Sequence, residues 1–297
     1  MRGVGDDCAV VLPPKGQSLV MSIDTHVAGC HFPENTDANL IASRALHCAV
    51  SDLAAMGAEP LWFTLALTIP SADQAWLKSF SEGLFLCAQH YGISLIGGDT
   101  TRGPLTISIQ VHGAVPEKST LLRSGASAGD QIFVTGTLGD GRAGLDVVLG
   151  LLEADEHNAG YFRKKYYQPQ ARVRSGLLLR YLASSCIDIS DGLLADLGHI
   201  CTASSLGARL DASRLPLSQE LLATVSTRTA LEWALTGGDD YQLCFTANKE
   251  NAENLKTQAR SRVLDVTWIG EMVEGKGIFD LKTGQDYGAR QAGFSHF

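Results

Sequence analysis

Hydrophobic and polar residues in the first half of the chain follow two periods, one typical of strands and one typical of helices. Residues 105–115 alternate between the two classes, which predicts a strand with one buried face. Between Asp73 and Tyr91 the apolar residues recur at helical spacing, and Ser71 and Gln74 predict a capping box at the start of this helix. Further strands are predicted at residues 19–24 and 61–69 and up to Asp99, and a further helix from Asp37 to Gly57.

The second half contains shorter apolar runs separated by glycine-rich turns. Strands are predicted at residues 131–135, 185–189, 241–246, 266–269 and 277–281, with helices beginning near Gly141 and after Gly192. The polar stretch 116–129 has the composition of a linker, and a chain of 297 residues is long for a single core. We therefore expect an α/β protein with mixed sheets and two domains, residues 1–118 and residues 119–297.

Composition and charge exclude several classes of protein. The formal net charge is −8, with 45% hydrophobic and 19% charged residues, so neither nucleic acid nor a membrane surface is an expected partner. No apolar run reaches the roughly 18 residues of a membrane span, and Met1 to Gly5 contain no apolar signal segment. The seven cysteines are scattered without a C-x-x-C pair, which predicts reduced thiols in a cytoplasmic protein.

Aspartates recur beside glycine turns and at predicted strand ends, where ligand sites of α/β proteins usually lie. Each such turn taken alone is most often structural, because Asp and Gly are good turn formers. Asp52 differs, because a carboxylate on a helix face rich in small apolar residues needs a partner. If several of these aspartates converge, oxygen ligands without His or Cys favour Mg²⁺, Mn²⁺ or Ca²⁺. The aspartates in question are Asp6, Asp7, Asp24, Asp52, Asp99, Asp188, Asp191, Asp239 and Asp240.

Eight segments, in this order along the chain, resemble those of the thiamine-monophosphate kinase family. They are G-V-G-D-D-C-A-V (3–10), S-I-D-T-H-V-A-G-C-H-F (22–32), S-D-L-A-A-M-G-A (51–58), G-G-D-T-T-R-G-P (97–104), L-R-S-G-A (122–126), V-T-G-T-L-G-D (134–140), I-D-I-S-D-G-L (187–193) and G-G-D-D-Y-Q-L (237–243). The resemblance covers essentially the whole chain. It implies membership of the wider superfamily that includes aminoimidazole ribonucleotide synthetase and selenophosphate synthetase.

The resemblance also implies a fold and a set of residue roles. It implies a two-domain aminoimidazole ribonucleotide synthetase-like fold, in which the N-terminal domain binds metal and ATP and forms a homodimer through its sheet. Metal contacts are implied at Asp7, Ser22, the main chain of Ile23, Asp24, Asp52, Asp99, Asp188 and Asp191. Nucleotide contacts are implied at Gly98, Asp99, Arg123 and Ser190, and contacts to thiamine phosphate at His31, Asp239 and Phe294.

The implied reaction transfers the γ-phosphoryl group of ATP to the phosphate of thiamine monophosphate, which gives thiamine diphosphate. The acceptor is an anionic phosphate oxygen at neutral pH, so no catalytic base is expected. Several Mg²⁺ ions would neutralise the two anions. Arg123 would bind phosphate oxygens in a bidentate manner, and Phe294 would stack on a ring of the cationic substrate.

Other interpretations of these residues stay open. His31 can cap a turn, Arg123 can be a surface residue of the linker, and Phe294 can anchor the tail. A dinucleotide-dependent oxidoreductase is disfavoured, because the G-x-G-x-x-G run at residues 139–144 lacks a following strand that ends in an acid. A sister ATP-dependent synthetase, which activates an amide or a selenide, and a non-enzymatic metal-binding module are two further classes that stay open.

Some positions depart from the family pattern. Asp239 stands where Glu is common, Phe294 where Tyr or Trp is common, and Cys30 where Asn is frequent. Family members usually carry a further segment ahead of the first motif, and we expect that segment to cover part of the site or of the dimer interface.

Overall fold

The computed structural model describes residue 3 and residues 5–288, which form alternating strands and helices. The strands are β1 (Gln17–Val27), β2 (Glu59–Ile69), β3 (Ser94–Arg102), β4 (Thr106–Pro116), β5 (Gln131–Thr135), β6 (Ser185–Ile189), β7 (Gly207–Leu210), β8 (Gln242–Ala247), β9 (Val266–Val273) and β10 (Ile278–Asp280). The helices are α1 (Ala38–Ala55), α2 (Gln74–Tyr91), α3 (Asp140–Val148), α4 (Glu156–Tyr167), α5 (Val173–Leu179), α6 (Leu193–Ser204), α7 (Gln219–Thr224), α8 (Thr227–Thr236) and α9 (Lys249–Arg260). Among the described helices, none is both long enough and apolar enough to cross a membrane.

The chain divides into two units. The first comprises Met1–Leu53 and Ala58–Thr120, and the second comprises Ala54–Gly57 and Leu121–Phe297. The sequence-based boundary between residues 118 and 119 stays a prediction.

The first unit is built on a sheet with the strand order β1-β4-β2-β3. Along β4, Ile107, Ile109 and Val111 are fully or almost fully buried, whereas the residues between them are partly exposed, so the predicted alternation is confirmed. α1 packs on the buried face, where Leu53 lies close to Gly113 of β4. One face of the sheet is thus covered by helix.

The opposite face of this sheet exposes large apolar side chains. Leu19, Met21 and Ile23 of β1 are 38%, 61% and 63% exposed. They alternate with Ser22 and Asp24, because successive side chains of a strand point to opposite faces. From Met21 to Asp24, β1 therefore places polar residues on the helix-facing side and apolar residues on the other.

The second unit contains a mixed sheet with the strand order β10-β7-β9-β5-β8-β6. β7 pairs with β10 in parallel. The other pairings are antiparallel: β5 pairs with both β8 and β9, β6 pairs with β8, and β7 pairs with β9. Both faces are covered: Ile132 and Ile187 belong to one apolar cluster, and Phe133 and Phe245 belong to another. The two phenylalanine rings stack at 5.5 Å between centroids. Burial on both faces explains why β6 and β8 are continuously buried rather than alternating.

Two sequence-based predictions about strand ends are wrong. β1 continues past Asp24 to Val27, and β3 continues past Asp99 to Arg102. The ladders of β1 with β4 and of β3 with β2 extend over these extra residues. Both aspartates therefore lie inside strands, because main-chain pairing continues where the hydrophobic pattern stops.

The predicted bounds of α2 are confirmed, whereas the residue predicted to cap its start is wrong. The N-cap is Asp73, whose Oδ1 accepts hydrogen bonds from the main-chain N–H groups of Ala75 (2.8 Å) and Trp76 (3.0 Å). The predicted capping box of Ser71 and Gln74 is therefore wrong, because Asp73 is the N-cap. Gly92 ends the helix with φ at 67°, a left-handed conformation that glycine adopts without strain.

Several short elements of the second unit have no counterpart among the predicted ones, namely α4, α5, β7, α7, α8 and α9. β7 has four residues, too few for a recognisable hydrophobic period, and it forms by pairing with β9 and β10. The serine N-caps Ser218 and Ser226 begin α7 and α8. Local caps and tertiary pairing define these elements.

Candidate active site

Three of the residues implied to bind metal lie together in the first unit. Ser22 and Asp24 lie on the helix-facing side of β1, and Oγ of Ser22 donates a hydrogen bond to Oδ2 of Asp52 on α1. Burial, and secondarily the negative charge of Asp52, raises the pKa of Asp24 to about 7. We call these two carboxylates the Asp24–Asp52 pair. A divalent cation would relieve the repulsion within the pair, and carboxylate and hydroxyl oxygens suit a hard ion such as Mg²⁺.

Asp99 lies on the other face of the same sheet. Asp99 is in register with Ala66, Ala66 with Ser108, and Ser108 with Thr25. Thr25 is the neighbour of Asp24 and points the opposite way. Three strand spacings separate β3 from β1, which amounts to about 14 Å at ~4.8 Å each. Within the first unit, Asp99 therefore does not join the Asp24–Asp52 pair.

The structure requires glycine at position 98, independently of the implied nucleotide contact. Its φ is 156°, and a Cβ at this position would overlap the main-chain carbonyl oxygen of Leu65 on β2. Gly97, by contrast, has room: its Cβ would meet only Cγ2 of Thr64, at 4.0 Å. The close approach of β3 to β2 therefore explains the second glycine of this motif without any ligand.

A second acidic cluster lies in the second unit, at the turn between β6 and α6. Asp188 is buried in β6, and Asp191 lies in the turn, at a position that is partly exposed. Asp196, in the first turn of α6, accepts hydrogen bonds through Oδ2 from the main-chain N–H groups of Ser190, Asp191 and Gly192, each at 3.1 Å. Burial raises the pKa of Asp196 to about 8, with further contributions from the negative charges of Asp188 and Asp191. The structure thus brings two implied metal ligands together with a third carboxylate.

Asp196 is absent from the residues predicted from the sequence, although its position offered a signal. An acidic side chain within the first turn of a helix commonly accepts hydrogen bonds from the free N–H groups there. The S-D-G-L-L-A-D run places such an acid four residues after Gly192. Asp196 fixes the turn that presents Ser190 and Asp191.

The Gly-Gly-Asp-Asp segment is hydrogen-bonded to the same turn. The main-chain N–H of Asp239 donates to the carbonyl oxygen of Ser190 (2.9 Å), and that of Tyr241 donates to the carbonyl oxygen of Ile189 (2.8 Å). The side chain of Asp240 accepts from the main-chain N–H groups of Gly139 (2.7 Å) and Gly141. Asp239, implied to contact substrate, therefore lies next to Ser190, implied to contact nucleotide.

The remaining implied residues are placed as follows. Nδ1 of His31 accepts a hydrogen bond from the main-chain N–H of Val27 (3.0 Å), so this ring caps its own loop through one nitrogen. Asp7 and Arg123 are exposed, and Phe294 lies outside the described residues. The structure neither adds nor removes a role for these side chains.

No group of three His, Cys, Asp or Glu side chains within residues 5–288 is arranged to hold a metal ion. The Asp24–Asp52 pair and the second acidic cluster would thus each supply only some of the ligands that a metal ion needs. A metal bound at either place would take its other ligands from water or from phosphate oxygens, which is the usual coordination of Mg²⁺.

Comparison with known proteins agrees with a chain of two α/β units that carry acidic side chains. The N-terminal domain of the AIR synthase related protein family matches residues 5–115, and its C-terminal domain matches residues 127–281. The chain therefore belongs to the AIR synthase related proteins.

Individual relatives show which family within the AIR synthase related proteins the chain belongs to. Thiamine-monophosphate kinase of Escherichia coli K12 is 47% identical over 297 residues, which cover 99% of this chain and 91% of that protein. The crystal structure of thiamine-monophosphate kinase from Stenotrophomonas maltophilia K279a is 41% identical and covers 96% of this chain and 92% of its own, with a TM-score of 0.90. A structure of AaThiL complexed with AMPPCP and TMP is 30% identical and covers 96% of this chain and 89% of its own, with a TM-score of 0.86. Within the AIR synthase related proteins, the chain is thus a member of the thiamine-monophosphate kinase family.

Proposed function

We propose that the protein transfers the γ-phosphoryl group of ATP directly to thiamine monophosphate and that this in-line transfer is assisted by several Mg²⁺ ions. The single observation that carries the magnesium part is the Asp24–Asp52 pair, in which burial and, secondarily, the negative charge of Asp52 raise the pKa of Asp24. Two acids held this close favour a divalent cation over a proton at neutral pH. The relative complexed with AMPPCP and TMP supports the choice of the two substrates.

The residues that would hold Mg²⁺ are Asp7, Ser22, Ile23 through its main chain, Asp24, Asp52, Asp99, Asp188 and Asp191. When bound, the metal would neutralise phosphate charge and stabilise the charge that develops on the transferred group. Asp196 would keep the turn of Asp191 in one conformation through its three N–H contacts. Gly98, Asp99, Arg123 and Ser190 would contact the nucleotide, and His31, Asp239 and Phe294 would contact the thiamine phosphate.

The protein needs no catalytic base in this proposal, because the acceptor phosphate is already ionised. Its side chains would instead bind and orient two anions so that the attacking oxygen, the phosphorus and the leaving oxygen lie in line. We expect turnover to follow the ionisation of the substrate and of the acidic cluster, with no requirement for a titrating histidine.

A direct assay tests this function. The protein is incubated with ATP, Mg²⁺ and either thiamine or thiamine monophosphate, and the products are separated by chromatography. Thiamine diphosphate from the monophosphate alone is the expected result. Diphosphate from free thiamine would indicate a pyrophosphokinase, and no product in either reaction would contradict the proposal.

We also propose that the chain forms a homodimer through the exposed face of the first sheet and acts in the cytoplasm. Leu19, Met21 and Ile23 give this face an apolar strip that a second copy could cover symmetrically. All seven cysteines, each in the described part of the chain, are free thiols, which suits a reducing compartment. Analytical ultracentrifugation should give twice the 31.7 kDa chain mass, and a monomer at all concentrations would contradict the dimer.

A further inference from the structure

A pocket of about 510 Å³ lies within the first unit, at the end of the sheet that contains the C-terminal ends of β1 and β2. Its walls include Trp76 of α2, Pro70, Pro104, Glu34 and Asp73. We call it the Trp76 pocket. Its volume lies within the range of about 300–1,000 Å³ that small-molecule sites usually occupy. None of the residues that line this pocket belongs to the Asp24–Asp52 pair or to the second acidic cluster.

The aromatic wall of the pocket is held in place by neighbouring contacts. The Asp73 side chain caps the main-chain N–H of Trp76, which fixes the first turn of α2. The indole ring stacks on Phe80 at 5.1 Å between centroids and 14° between planes. Phe80 is buried, whereas Trp76 is partly exposed, so the part of the indole that Phe80 does not cover is available to a ligand. A rigid aromatic surface of this kind binds flat rings with little loss of side-chain entropy.

The charge of the pocket selects among flat ligands. Glu34 and Asp73 contribute two carboxyl groups, and the lining among the described residues includes neither lysine nor arginine. Glu34 lies over the loop after β1, because a Cβ on Gly29 would be 3.4 Å from its Oε1. Acidic and aromatic walls together attract an organic cation and repel a triphosphate.

The position of the pocket connects it with the implied substrate loop. Val27 and Ala28 line the pocket and also begin the loop that carries His31. The main chain of this loop is closed by the hydrogen bond from Gly29 N–H to Phe32 O, at 2.8 Å. A ligand in the pocket would therefore lie beside the residues implied to contact thiamine phosphate.

We propose that the Trp76 pocket binds the heteroaromatic cation of thiamine monophosphate, with one ring against the Trp76 indole and its positive charge near Glu34. This subsite rests on the proposed function and extends it, because it assigns residues that recognise the organic part of the acceptor. The competing occupant of similar shape is the adenine of ATP. The two occupants are distinguished by whether a substitution in the pocket changes KM for thiamine monophosphate or KM for ATP.

Steady-state kinetics of Trp76→Leu test the assignment, with Trp76→Phe as the conservative variant. Trp76→Leu should raise KM for thiamine monophosphate about 10-fold and leave KM for ATP within 2-fold, and Trp76→Phe should recover most of the loss. Trp268→Phe, in the second unit, is the matched control and should leave both constants unchanged. A rise in KM for ATP alone, or no change in either constant, would overturn the proposal.

A binding experiment separates failure of the pocket from failure of the proposed function. Unphosphorylated thiamine, titrated without ATP or Mg²⁺, should quench tryptophan fluorescence saturably in the wild-type protein and in Trp268→Phe, but not in Trp76→Phe. Glu34→Gln should weaken binding about 3-fold or more at low salt, and a neutral thiazole should bind more weakly than thiamine. If the wild-type protein makes no thiamine diphosphate yet shows the Trp76-dependent quench, the function fails and the pocket stands. Equal quenching in Trp76→Phe and wild type would show that the pocket does not bind the cation.

Discussion

Replacing Asp52 by asparagine removes one of two neighbouring negative charges while keeping the size of the side chain. The amide retains an oxygen that can accept the hydrogen bond from Ser22. The pKa of Asp24 rises from 3.8 to about 7 in the folded protein, which corresponds to about 4 kcal/mol. Burial is the larger cause and Asp52 the smaller, so removal of the Asp52 charge should relieve less than half of this amount, at most about 2 kcal/mol.

The sign of this effect depends on pH and on metal. Because the folded-state pKa of Asp24 lies above its unfolded value, ionisation of Asp24 opposes folding, and the cost develops as the pH rises from 3.8 to above 7. At pH 8 in EDTA, Asp52→Asn should therefore unfold at higher urea than the wild type. With excess Mg²⁺ the order should reverse, because the wild type binds the ion more tightly and gains more stability. Turnover of the variant should fall at least about 100-fold.

The assay is urea unfolding followed by circular dichroism at pH 8, with EDTA or with Mg²⁺, together with the product assay. Glu82→Gln, an exposed acid-to-amide change in the same unit, is the control and should show neither effect. The reasoning is refuted if Asp52→Asn is no more stable than the wild type in EDTA. It is also refuted if the variant gains as much stability from Mg²⁺ as the wild type does.

Three further predictions concern residues that support the site or the core. Asp196→Ala should lower the unfolding free energy by about 2–4 kcal/mol, because three N–H groups lose their acceptor. Asp196→Asn should keep most of the wild-type stability, and urea unfolding of both variants checks this. Burial lowers the pKa of His47 from 6.5 to about 4, so the unfolded chain binds a proton that the folded chain does not, and His47 by itself should contribute a loss of about 2 kcal/mol of stability between pH 7.5 and pH 5, opposite in sign to the contribution of Asp24. His47→Gln should lack this contribution, so the stability of the variant relative to the wild type should rise by about 2 kcal/mol over the same titration. Gly98→Ala should destabilise by about 3 kcal/mol or more, because its Cβ overlaps a carbonyl oxygen of β2, and Gly97→Ala should be tolerated; thermal unfolding distinguishes the two.

How much of the fold was predictable can be judged from individual elements. The alternation over residues 105–115 and the helical spacing over residues 73–91 correspond to β4 and α2 within one or two residues. These segments have one buried and one exposed face, and a periodic sequence reports that difference directly. The predicted ends of β1 and β3 were wrong because main-chain hydrogen bonds to β4 and β2 extend the strands beyond the apolar pattern.

The candidate site shows the same division. The order of the aspartate-bearing motifs was sufficient to indicate the thiamine-monophosphate kinase family, since those segments are distinctive in sequence. The sequence could not indicate which carboxylates meet. Asp52 is brought to Ser22 and Asp24 by the packing of α1 on the sheet, whereas sheet register places Asp99 on the opposite face.

The amino-acid sequence by itself determined the local periods, the turn-forming glycines and the family. The tertiary structure alone decided the pairing of Asp24 with Asp52, the three N–H contacts of Asp196 and the aromatic wall at Trp76. The physical reason is that hydrophobic period and turn preference are properties of neighbouring residues. Electrostatic coupling and pocket shape, by contrast, depend on distances between residues far apart in the chain, and only packing sets those distances.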